Sequence, residues 1–202
     1  MCCRAGRDRL RVAFALVALA AGAGRASAQT LGAPMPIGLN VNQSSSLTVT
    51  IQSGAVQTLS SPSLSNQTTN FPAPVQILTA WDFRPNTVSS LSLVAFFASP
   101  ATAISGPSGS IPSNRVEAQI SSSTGPAAPI PTTWSPFTGS GVGANGVAGG
   151  SLTLWTFAVT GNSAAVRRNQ QQNRMDLRLR LTGFTLPTGT YTGTLIIRAM
   201  AL

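Results

Sequence analysis

The sequence predicts an all-β fold, and three observations carry that expectation. Apolar and polar residues alternate with a period of two in window after window, few windows show the 3.6-residue apolar period of an amphipathic helix, and the breaks are rich in Gly, Pro, Ser and Asn. A strand with one apolar side must hide that side against another layer. Short strands at this spacing predict an immunoglobulin-like, two-sheet antiparallel β-sandwich in preference to a barrel.

Residues 1–28 read as something other than that fold. Arg4, Arg7, Arg9 and Arg11 precede an apolar run from Val12 to Gly24, and Ala26-Ser27-Ala28 forms a small-x-small cleavage site, the layout of a secretory signal peptide. The run is shorter than the roughly 20 residues a spanning helix needs, so no transmembrane anchor is expected after cleavage. Cys2 and Cys3 would leave with the signal. Residues 29–202 are then read as a single β-sandwich domain, exported to the periplasm, the cell surface or the medium, with no disulfide to rely on.

The strands follow in order. Ile37, Leu39 and Val41, then Leu47, Val49 and Ile51, keep one odd-numbered register, and Ser53-Gly54 reads as a tight turn into AVQTL. VQILTAWDF places Val75, Ile77, Trp81 and Phe83 on one face, and SSLSLVAFF does the same with Leu91, Leu93 and Phe97. RVEAQI sends Val116, Ala118 and Ile120 inward and Arg115, Glu117 and Gln119 outward, as in a half-solvated antiparallel strand. Ser121 to Gly150 reads as a long irregular stretch. SLTLWTFAVT is apolar on both faces, which predicts a central strand with a register-shifting bulge. After the turn at Pro187-Thr188-Gly189, TYTGTLIIRAMAL supplies the final strand.

Residues 166–181, VRRNQQQNRMDLRLRL, concentrate charge. Alternation puts Met175, Leu177, Leu179 and Leu181 on one side and Arg174, Asp176, Arg178 and Arg180 on the other, behind a polar hairpin loop expected from Arg167 to Asn173. Two readings stay open. The arginines are the wet side of a strand, or Arg167, Arg168, Arg174, Arg178 and Arg180 form a face for an anionic ligand, since guanidinium forks match carboxylate and sulfate. Trp134, in TTWSPF, is the loop aromatic on which a sugar ring could stack; it would equally serve as a cap on the core.

Other functions are disfavoured by inventory. Of 13 basic residues, all arginine, five lie in residues 1–28, and there is no histidine or lysine anywhere. The usual general base, thiol nucleophile, Schiff-base amine and zinc ligands are therefore missing beyond the signal, so a non-catalytic protein without cofactor or metal is expected. Asp82, Glu117 and Asp176 are scattered acids and not a carboxylate pair. GVGANG (Gly141, Gly143, Gly146) has dinucleotide-fingerprint spacing but lacks the strand before and helix after it. Nucleic acid is not an expected partner, because no reading motif is present and no aromatics interleave the arginines. The Asn-Gln-Ser at Asn42 and Asn-Gln-Thr at Asn66 match a glycosylation acceptor, which carries little weight in the bacterial coding sequence that the Ala-, Gly- and Arg-rich, lysine-free composition suggests.

The signal layout, the Ser/Thr/Gly-rich strands and the closing GTYTGTLIIRAMAL (Gly189 to Leu202) resemble small secreted bacterial surface proteins of the pilin-like and spore coat protein U-like kind. The resemblance implies a structural or adhesive surface protein, a fibre or pilus-like subunit whose partners are copies of itself. It implies assembly by strand donation, for which Ile37, Leu39 and Val41 have the required spacing; their other reading is the first strand of the protein's own sandwich. The chain departs from that family in having no cysteine after residue 28 and in ending Ala201-Leu202. The alternative function is a monomeric extracellular module that binds a cell-surface glycan through Trp134 and the arginine face.

Overall fold

The computed structural model describes residues 33–39, 46–59, 66–84, 87–106, 109–141, 146–161, 163–187 and 189–202. The proposed signal segment, Val41 and Asn42 lie outside them. The fold is all-β. Its strands are β1 (Ala33–Leu39), β2 (Leu47–Ser53), β3 (Val56–Leu59), β4 (Thr68–Asn70), β5 (Val75–Asp82), β6 (Ser90–Phe97), β7 (Ile104–Gly106) and β8 (Gly109–Ile111). They continue as β9 (Val116–Thr124), β10 (Ser135–Pro136), β11 (Gly139–Ser140), β12 (Ala148–Ala158), β13 (Arg168–Arg180), β14 (Thr192–Gly193) and β15 (Leu195–Ala201). One helical turn, α1 (Ala164–Arg167), leads into β13.

Two large sheets carry the architecture. The first runs β11-β12-β6-β15-β1-β3; the second runs β10-β9-β13-β5-β2, with β4 also paired to β13; β14-β7-β8 form a small third sheet. The ladders among the described strands are antiparallel except one. β1 runs parallel to β15, with Ile37 opposite Leu195 and Leu39 opposite Ile197, and antiparallel to β3 on its other side.

Alternation explains which faces are buried. Val75, Ile77 and Trp81 of β5, Val116, Ala118 and Ile120 of β9, and Met175, Leu177 and Leu179 of β13 all point inward, where they meet Leu91, Leu93 and Phe97 of β6 and Leu195 and Ile197 of β15. Each of the larger aliphatic side chains among them contributes about 1.5–3 kcal/mol when taken out of water. Trp81 of the second sheet packs on Trp155 and Phe157 of the first at 6.2 and 5.7 Å between ring centroids, which ties the layers together. The bulge expected in β12 is present. Its register with β6 shifts between Thr153 and Trp155, so the consecutive residues Leu154 and Trp155 are both fully buried.

Three expectations are corrected. Ser121 to Gly150 is not irregular throughout, because β9 runs on to Thr124, β10 and β11 lie within the stretch and β12 already begins at Ala148. Ser53-Gly54 does not close a hairpin, because β2 pairs with β5 in the second sheet while β3 pairs with β1 in the first. The bend carries the chain across the core. Gly54 has φ +74°, and a Cβ there would collide with the carbonyl oxygen of Pro74, so the position needs glycine. Nor is the stretch from Arg167 to Asn173 a loop: α1 ends at Arg167, and β13 begins at Arg168 and pairs with β5 from Arg168 to Met175.

The reason is that glutamine and asparagine face inward there. Gln171 and Asn173 are fully buried in phase with Met175. The Gln171 amide donates to the Ala127 carbonyl at 3.1 Å and accepts from the Ala127 N–H at 3.0 Å, and Asn173 Nδ2 donates to Ser123 Oγ at 3.0 Å. The loop after β9 is thereby fastened to β13.

Tyr191 marks the entry to the last strand. Its hydroxyl donates to the Pro187 carbonyl four residues upstream at 3.0 Å, and its ring lies against Gly106, where a Cβ would stand 2.6 Å from the ring.

Candidate functional site

The outward side of β13 is the most functionalised surface of the fold. Strand alternation aligns Arg168, Arg174, Asp176, Arg178 and Arg180 on one face, while the apolar residues between them hold the strand to the core. Arg167 is not in that row. It ends α1, and its Nη1 donates to the Phe83 carbonyl at 3.2 Å.

The row is largely charge-compensated. Arg168 reaches Asp82 on β5 at 2.6 Å, with both side chains well exposed at 78% and 46%. Arg174 stands 3.6 Å from Asp176 on its own strand. Arg178 and Arg180 both engage Glu117 of β9, at 2.6 and 2.7 Å, and their shared carboxylate is only 7% exposed. Sequence alternation places Glu117 outward, which is correct for the direction of its side chain. It misses the burial, because the cover comes from residues distant in sequence.

Trp134 joins this cluster through Arg178. Pairing of Ser135 with Ala118 and of Pro136 with Glu117 seats the segment beside β9, and the Arg178 guanidinium lies over the Trp134 ring, 4.4 Å from its centroid. The two candidate features of the sequence, the arginine row and the loop tryptophan, are thus one site. A cleft of about 420 Å³ opens beside them, between the corner at Asn70–Pro74 and Trp134, with Gln119, Arg174 and Asp176 on its lining. Asn70 had no signal in the sequence and Gln119 only an outward direction; the register that sets Asn70 opposite Arg178 and Gln119 opposite Asp176 brings them in.

The remaining candidates fall elsewhere. Ile37 and Leu39 lie in β1, inside the first sheet. The described part of the Gly-rich loop lies on the outer side of that sheet, where Val147 packs on Val94, Phe96 and Met200, and Ser151 Oγ bonds the Val147 backbone at 2.7 Å. A wider cleft of about 580 Å³ nearby is lined by Ser90, Ser92, Thr153 and Thr156 hydroxyls and by no charged or aromatic side chain. Among the described residues no helix is long and apolar enough to cross a membrane, and no three His, Cys, Asp or Glu side chains gather as a metal would require. No protein-family model matches the chain, and no curated protein sequence matches it.

Proposed function

We propose that the protein is an exported structural or adhesive surface subunit with an immunoglobulin-like β-sandwich, whose first strand is exchangeable between copies. One observation carries the reading. β1 sits between β15 and β3, parallel to β15, as a strand inserted into the sheet and not added at its edge. Take it away, and β15 and β3 each face a gap with unpaired backbone groups, which an identical strand from a neighbour satisfies by the same main-chain hydrogen bonds.

Other features support the fold part of the reading. The Tyr191 hydroxyl bonded back to the Pro187 carbonyl is similar to the tyrosine corner of immunoglobulin-like domains, although it stands before the last strand and not the penultimate one. The crossing of β2 into β3 lets one segment edge both sheets.

The test is the mass of native protein by light scattering after size exclusion, for the whole exported chain and for a variant lacking residues 33–39. Multiples that persist in mild denaturant, vanish in the deletion and are blocked by an added peptide of residues 33–39 support strand exchange. A monomer at every concentration, with no uptake of the peptide by the deletion variant, overturns it.

A further inference from the structure

The geometry points to the cleft beside Trp134 as a binding site for a neutral sugar residue, the unit of an uncharged polysaccharide. This inference does not depend on strand exchange, since no residue of β1 lines the cleft.

A pyranose ring has an apolar C–H face and a rim of hydroxyls that both donate and accept. The cleft presents the complementary set: Trp134 and Pro72 as apolar wall, Arg174 as donor, Asp176 as acceptor, and Asn70 and Gln119 as both. Its volume of about 420 Å³ falls within the range of small-ligand sites. The side-chain amides of Asn70 and Gln119 have no hydrogen-bond partner among the described residues, so their donors and acceptors are available to a ligand.

Charge decides between an anionic and a neutral ligand. Arg168, Arg178 and Arg180 are already held by Asp82 and Glu117, and Arg174, the arginine lining the cleft, stands beside Asp176. An acidic sugar would compete with Asp176 for Arg174 and meet its carboxylate. A hydroxyl pair bridges the two groups instead.

The site is also held in shape before any ligand arrives. Arg178 stacks on Trp134 while gripping Glu117, and the floor is β13, paired on both sides. Ordering costs on binding are correspondingly small.

The experiment is affinity electrophoresis of the full exported chain through mannan, galactan and β-glucan, with polygalacturonate and heparin as anionic comparators, at low and high salt. The expected result is retardation by a neutral polysaccharide that salt leaves unchanged. Asp176→Asn and Gln119→Ala should weaken it roughly tenfold or more, the effect of losing one well-placed polar contact, while Thr50→Ala on the same face leaves it intact. Trp134→Ala should abolish it; the thermal midpoints of Asp176→Asn and Gln119→Ala show whether the fold is preserved. Retardation by no neutral polysaccharide, retardation only by anionic ones with loss in salt, or full retention by both polar variants overturns the inference. Multimers that form without binding any sugar sink this inference alone and leave the strand-exchange reading standing.

Discussion

The guanidinium of Arg178 lies over the indole of Trp134 and, from the same position, grips the carboxylate of Glu117 at 2.6 Å. One side chain therefore fixes a loop aromatic, covers a buried acid and links β13 to β9. Replacing Arg178 with Ala should destabilise the fold by about 1–3 kcal/mol, less than a fully orphaned buried charge because Arg180 stays on Glu117. Arg178→Lys should fall between, as an ammonium keeps the charge but loses the planar fork. Urea unfolding followed by tryptophan fluorescence reads both.

The other ion pair on the same face gives the contrast. Arg168 and Asp82 are both well exposed, so Arg168→Ala should cost under about 1 kcal/mol and the difference should shrink further in high salt. Equal losses for Arg168→Ala and Arg178→Ala would show that burial is not what separates them.

Gln171 is the buried polar residue with most at stake. Gln171→Ala leaves both backbone groups of the buried Ala127 unpaired, for a cost of about 3 kcal/mol. Hydrogen exchange at the Ala127 amide should accelerate well beyond the global change. An unprotected Ala127 amide already in the native protein would refute the assignment.

At the entrance to the last strand, Tyr191→Phe removes one hydrogen bond and should cost about 0.5–1.5 kcal/mol. Gly106→Ala should cost more, about 1–3 kcal/mol, because its new methyl meets the Tyr191 ring. Thermal unfolding of the two variants checks the order.

Local alternation made much of this fold legible. The inward sets of β5, β9 and β13 and the bulge of β12 follow from side-chain period alone, since each strand carries its own pattern. Gln171 and Asn173 broke the inference because hydrophobicity marks a face only where the core is apolar, and here the backbone of Ala127 and the hydroxyl of Ser123, both distant in sequence, make the two amides tolerable. Ser53-Gly54 looks the same to a local reading whether the chain folds back or crosses the core. The site was half legible. Trp134 and the arginines stand out as residue types, whereas the union of Trp134 with Arg178, and the arrival of Asn70 and Gln119, depend on register between segments far apart in sequence.

The parallel seam between β1 and β15 also sets an order of events. It joins residues 37–39 to residues 195–197, so the contact closes nearly the whole described chain into one loop, an entropic cost that intervening structure must first reduce. Topology of that kind folds slowly. A chain emerging from its amino end can pair β1 with β3 early, but the other edge of β1 stays open until β15 has followed. During that interval the sheet is open along one edge of β1, and on the reading proposed above the relative speed of intramolecular docking and of encounter with another chain sets which β15 closes it.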